Sequence, residues 1–181
     1  MDQRTVRYAV VCALFAALIV VGSYLSIPIG PVPIVLQNLF VLLAGLVLGP
    51  WLGAASVGLF LLAGAVGLPV FAGGTGGLAH LVGPTGGYLF GYLVAVVLVG
   101  LIAGRRGDLA RMVIAVVAGS LVIYLLGVPW LKVSLGMDWG KAIAAGMLPF
   151  LIGDALKAAA AVAIARALRP LLISQGFIES A

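Results

Sequence analysis

Gly67 to Tyr92, GLPVFAGGTGGLAHLVGPTGGYLFGY, carries nine of the chain's 26 glycines and interrupts a sequence otherwise made of long apolar runs. Glycine tolerates positive φ and lets another backbone or a ligand come close. Because membrane-length apolar segments flank it on both sides, the stretch reads as a loop shaping a site between two spans. The fold then follows from counting the spans around it.

Of 181 residues, 64% are hydrophobic and 8% charged, and the mean hydropathy is +1.31. Soluble domains are about 25% charged, so this composition indicates an all-α integral membrane protein. A span needs about 20 mostly apolar residues, and the chain divides into six. They are expected at roughly 7–26, 34–49, 51–68, 84–103, 111–126 and 149–169, forming one membrane domain over residues 1–181. Basic residues precede the first apolar run as in a signal peptide, but the run is long enough to span and no A-x-A site follows it. Cys12, the sole cysteine, leaves no intramolecular disulfide to form.

The connections have their own signals. Pro28, Pro31 and Pro33 in IPIGPVPI impose an extended link after helix one, and Gly49-Pro50-Trp51 makes a tight turn into helix three. Pro84 suits the first turn of helix four. In the segment 127–147, Lys132, Asp138 and Lys141 accompany Trp130 and Trp139. Those residues suggest a loop and a short helix at the membrane interface, where tryptophan is enriched. The alternative is a helix running on from Asp138 into helix six, against Gly146 and Pro149.

Orientation follows from the basic residues near span ends. Arg4, Arg7, Arg105, Arg106, Arg111, Arg166 and Arg169 fall on one side, Lys132 and Lys141 on the other. The arginine side is expected in the cytoplasm with both termini. The proline loop, the glycine-rich stretch and segment 127–147 then lie together outside. The basic charge is explained without nucleic acid, for which the chain has no motif.

Asp154 and Lys157, in FLIGDALKAAAAV, are the charges expected within a span. A charge at the bilayer centre costs roughly 2.5–3.5 kcal/mol on insertion scales, so such residues usually face the bundle and serve a function. Three apart, they share a helix face and can neutralise each other. A structural ion pair is one reading, a ligand site the other. Gly86 and Gly87, after Pro84-Thr85, offer amides at a helix N-terminus for an anionic or carbonyl group. Tyr88 and Tyr92 share a face beside them and can pack on a ring or donate a hydrogen bond. Close helix packing through small residues competes with that reading. Gln37 and Asn38 are further candidates for a pocket, while His80, without a second histidine, reads as an ordinary loop residue. Ala9, Ala13 and Ala17 recur at intervals of four on helix one, a strip suited to close packing within the bundle or to docking a partner subunit.

Some chemistries are excluded. There is no G-x-x-x-x-G-K-[ST] for phosphate binding, no second intramembrane carboxylate for an aspartyl protease, and no credible Ser/His pairing. An enzyme is not expected, nor a cofactor or metal site, and any energy source must be external.

Taken together, IPIGPVPIVLQ, the Gly67–Tyr92 stretch and PFLIGDALK resemble BioY, the biotin-specific substrate-binding (S) component of energy-coupling factor (ECF) vitamin transporters. The resemblance extends from helix one to Arg169. It implies a six-helix protein of the cytoplasmic membrane that captures biotin from outside. Implied partners are a transmembrane T subunit and two ATPase subunits, besides membrane lipid and further copies of the chain. Carried over by motif, the ligand residues would be Tyr88, Asp154 and Lys157, and the alanine strip would meet the T subunit. The chemistry agrees: a ureido ring has two N–H donors and one acceptor oxygen, which a carboxylate and a nearby donor can satisfy. Other readings are an S component for another small vitamin, or a small channel or structural membrane protein using its glycines for packing.

Overall fold

The computed structural model describes residues 2–104 and 108–175. Arg105 and Arg106, two of the arginines used for orientation, lie outside that range. Among the described residues the long elements are α1 (Gln3–Tyr24), α2 (Gln37–Ala65), α4 (Gly86–Ala103), α5 (Leu109–Leu135) and α7 (Leu151–Ser174). Shorter pieces are α3 (Leu78–Leu81), α6 (Trp139–Gly146), a 3₁₀ turn at Leu148–Phe150 and an antiparallel pair, β1 (Ser26–Ile27) and β2 (Ile34–Val35).

The apparent 29-residue helix α2 is two rods. Gly49 departs from helical geometry at φ 76 and ψ −173, a region that only glycine enters freely. A Cβ built on Gly53 would lie 3.2 Å from the carbonyl oxygen of Ala44, whereas nine residues along a straight helix span about 13.5 Å. The chain therefore doubles back at the Gly-Pro-Trp turn, and six rods make the bundle. The first limb, 37–48, is its centre: Leu39 and every residue from Val41 to Leu48 are buried, as expected for a helix apolar on all sides. Helix α4 packs between α2 and α5, α1 lies on α2, and α7 lies on α2 and α5. Rod α1 and the span Trp139–Ser174 that contains α7 bury the smallest shares, 33% and 17%, and present most of their apolar surface outward. This is a multi-pass membrane protein.

Helix α5 departs most from the expected spans. Gly127 and Pro129 suggest a stop near Leu126, yet the helix runs to Leu135. A proline removes one backbone hydrogen bond, which membrane helices tolerate where neighbours or local adjustment compensate. The true stop is Gly136, left-handed at φ 62, whose N–H donates to the carbonyls of Lys132 and Val133. Residues 127–135 are therefore not a loop. The short helix expected after them is present as α6, capped by the Asp138 carboxylate on the Lys141 amide at 2.9 Å. A 3₁₀ turn containing Pro149 separates it from α7.

Candidate functional site

Asp154 lies one turn into α7, and both its oxygens are engaged. Oδ1 accepts from Lys157 Nζ at 2.9 Å and from Asn38 Nδ2 at 2.8 Å. Oδ2 accepts from the Tyr124 hydroxyl. Lys157 also donates to the carbonyl of Val35 at 2.7 Å. One carboxylate thus gathers the starts of α2 and α7, the middle of α5 and, through Lys157, strand β2. The side chains of Lys157 and Asp154 keep only 11% and 14% of their surface, so each charge is compensated where water is scarce. Removing one partner of such a pair usually costs about 3–5 kcal/mol, because the other charge is stranded.

The amide pair at the start of α2 differs. A carboxylate only accepts, so Asn38 must turn its nitrogen towards Asp154, and that fixes which way the amide points. Asn38 Oδ1 is left buried without a partner, as is Gln37 Nε2. The two residues are 8% and 3% exposed. A buried polar group with no partner costs about 1–3 kcal/mol. Here one acceptor and one donor stand in that condition, on neighbouring residues.

Both residues line a cavity of about 330 Å³. Its polar wall also contains Asp154, Lys157, Tyr88, Tyr92 and Tyr124, and its apolar wall Leu89, Ile123 and Phe150. The loops before α2 and α3 cover it with Pro31, Val32, Phe71 and Ala72, and α3 with His80. The glycine-rich loop is tied down rather than free. Ser23 Oγ donates to the carbonyl of Val70 and Tyr24 to that of Pro69. Phe71 is 1% exposed and edge-on to Phe60, filling the space that a Gly64 side chain would need.

Three of the residues singled out from the sequence, Tyr88, Asp154 and Lys157, therefore meet on one cavity, with Gln37 and Asn38 beside them. Tyr88 is held as a wall: its hydroxyl donates to the carbonyl of Gly146 at 2.8 Å, and its ring occupies the space over Gly127. Gly86 and Gly87 do not join it. A Cβ on Gly86 would fall 1.9 Å from the carbonyl of Leu81, and one on Gly87 2.3 Å from Trp130 Cβ. The Gly86 amide already donates to Gly83. Gly86 lets α4 meet Leu81 of α3 and Gly87 lets it close against Trp130 of α5, so both glycines are taken up by packing. Trp130, expected as an interface anchor, donates to the carbonyl of Gly83 at 2.9 Å and steadies the same junction. Ala9, Ala13 and Ala17 are exposed on α1, away from the cavity.

Tyr124 and His80 also belong to the site. A tyrosine within the apolar run SLVIYLLG needs a partner for its hydroxyl, which was the available signal for Tyr124. His80 stacks on Phe71, with ring centroids 5.0 Å apart and planes 19° apart. Burial holds its imidazole below the ordinary value of 6.5.

Comparison with known proteins follows the same lines. The family model described as the BioY family matches residues 1–174. A probable biotin transporter BioY of Pyrococcus horikoshii is 48% identical over 157 residues, covering 87% of this chain and 93% of that protein. The biotin transporter BioY of Thermotoga maritima is 44% identical over 169 residues, covering 93% and 99%. A solved structure, the S-component for biotin from an ECF-type ABC transporter, superposes with a TM-score of 0.85 at 33% identity, covering 94% of each chain.

Proposed function

The chain belongs to the BioY family, and from that premise we propose that it captures biotin with high affinity in the cavity under the glycine-rich loop. It does so as the substrate-binding component of an ECF-type transporter. The observation that carries this reading is the orphaned amide pair. With the two amide side chains turned to the cavity, a ureido group supplies the missing partners: an N–H for Asn38 Oδ1 and a carbonyl oxygen for Gln37 Nε2. Asp154 has lone-pair capacity for the second N–H. The ureido ring is neutral, which suits a site whose one carboxylate and one ammonium already cancel. Tyr88, Tyr92 and Ile123 supply the apolar surface for the bicycle, and 330 Å³ lies at the small end of ligand cavities, about 300–1,000 Å³. Biotin enters and leaves unchanged; it is cargo, and no catalysis is assigned.

The arginine asymmetry supports cytoplasmic termini in the cytoplasmic membrane, with the cavity opening outside. Energy comes from partners, a T subunit and two ATPase subunits. The outward strip Ala9, Ala13 and Ala17 is the surface we assign to the T subunit, since small residues let helices approach closely in lipid. Lipid covers the remaining apolar faces, and self-association would use the same small-residue surfaces.

The test is binding to the purified protein. Ligand at 100 times its dissociation constant stabilises the folded state by about 2.7 kcal/mol, a clear thermal shift with biotin. Asp154→Asn should weaken binding at least tenfold, about 1.4 kcal/mol, in a protein that still inserts. Absence of the shift, or wild-type affinity in the variant, contradicts the assignment.

A further inference from the structure

The cavity's roof contains a directed chain of hydrogen bonds centred on His80. Nδ1 of the ring lies 3.1 Å from Thr75 Oγ1, and Nε2 lies 3.3 Å from Thr85 Oγ1. Thr75 donates its single hydroxyl proton to the carbonyl of Ala72 at 3.0 Å. Towards His80, Thr75 can therefore only accept, so the proton sits on Nδ1. In the neutral ring Nε2 is then an acceptor, and the Thr85 hydroxyl donates to it. The order runs from Thr85 through His80 and Thr75 to Ala72.

Thr85 supplies the reason to regard this chain as more than loop packing. It occupies the N-cap of α4, where a threonine side chain commonly bonds a free helix amide. Here its side chain makes no capping bond; the hydroxyl is given to His80 instead. The other end of the chain is the turn 71–75, closed by the Phe71 amide on the Thr75 carbonyl at 2.9 Å and anchored by buried Phe71. His80 thus ties the start of a membrane helix to an anchored turn, with its ring on the cavity wall.

We propose that His80, held as the Nδ1–H tautomer, is a positioning residue that keeps the roof closed over bound biotin. It acts through Thr75 and Thr85 rather than by contact with the reactive or polar groups of the ligand. The inference rests on the biotin assignment above and adds to it which residue sets the rate of escape. His80 is the chain's only histidine, so histidine-selective ¹⁵N labelling reports on this ring alone.

Two measurements test it. In the ligand-free wild type, the ¹⁵N spectrum should show a neutral ring protonated at Nδ1 above pH 7; the Nε2–H tautomer would overturn the bridge. In a chase with radiolabelled biotin, His80→Ala should speed dissociation about tenfold while association changes little. Thr75→Val and Thr85→Val should each speed it less, and neither should add to His80→Ala, because residues acting through one network are not additive. Additive effects, or an unchanged rate in His80→Ala, would overturn the inference and leave the biotin assignment standing. Failure of the wild type to retain biotin would overturn the assignment and this inference together.

Discussion

The charged pair on α7 and the amide pair at the start of α2 face the same cavity in opposite conditions. Asp154 and Lys157 are each held by several protein groups: Asn38, Tyr124, the carbonyl of Val35 and each other. Gln37 and Asn38 are neutral and each retains a buried atom with nothing to bond. A membrane interior makes an unpaired charge far costlier than an unpaired amide. On the proposed assignment the charges hold the site's shape and the amides meet the ligand.

Breaking the charged side of the comparison should have the largest effect. Lys157→Met strands Asp154 and should cost about 3–5 kcal/mol of stability, seen as a lowered unfolding temperature in detergent. Adding Asp154→Asn to that variant should restore much of it, without restoring biotin binding. A single variant as stable as the wild type would show that the pair is not a scaffold.

The amide side should behave in the reverse sense. Gln37→Leu removes a buried unpartnered donor that costs about 1–3 kcal/mol, so the ligand-free protein should be as stable as the wild type or more so. Biotin should bind at least tenfold more weakly, about 1.4 kcal/mol. Lower stability with unchanged affinity would make Gln37 a packing residue.

Tyr88 lies between the two cases, lining the cavity but satisfied by Gly146. Tyr88→Phe loses one hydrogen bond, about 0.5–1.5 kcal/mol of stability, and should leave affinity nearly unchanged. A loss of affinity as large as that of Gln37→Leu would move its hydroxyl into the ligand's contacts.

The smallest effect is that of His80 with pH. Its folded value lies below the ordinary 6.5, so the unfolded chain binds more protons in the interval between the two. The stability it contributes is complete above about pH 6.5 and is lost as pH falls through the folded value. Thermal unfolding from pH 7.5 to 5 should show a shallow decline that His80→Gln removes. An unchanged slope in that variant would assign the decline to other groups.

Much of this architecture was legible because hydropathy and charge act over whole segments. Six rods follow from the length of the apolar runs, and the reversal at Gly49 from a Gly-Pro-Trp signal. The meeting of Tyr88, Asp154 and Lys157 followed from motifs and a shared end of the bundle. The continuation of α5 through Pro129 was hidden because one proline reads alike at a helix end and at a tolerated gap. Gly86 and Gly87 misled for a related reason: glycine signals close approach without saying whether a ligand or Trp130 approaches. Tyr124 and His80 draw their significance from partners 30 and five residues away, pairings that no local pattern announces.

The most direct measurement is equilibrium competition against labelled biotin on the purified protein. Dethiobiotin keeps the ureido ring and an alkyl carboxylate, while lipoate keeps the valerate chain and has no ureido group. If the amide pair recognises the ureido ring, biotin binding is saturable at one per chain, dethiobiotin displaces it and lipoate does not. Displacement by lipoate as effective as that by dethiobiotin, or no saturable binding of biotin, would contradict the account.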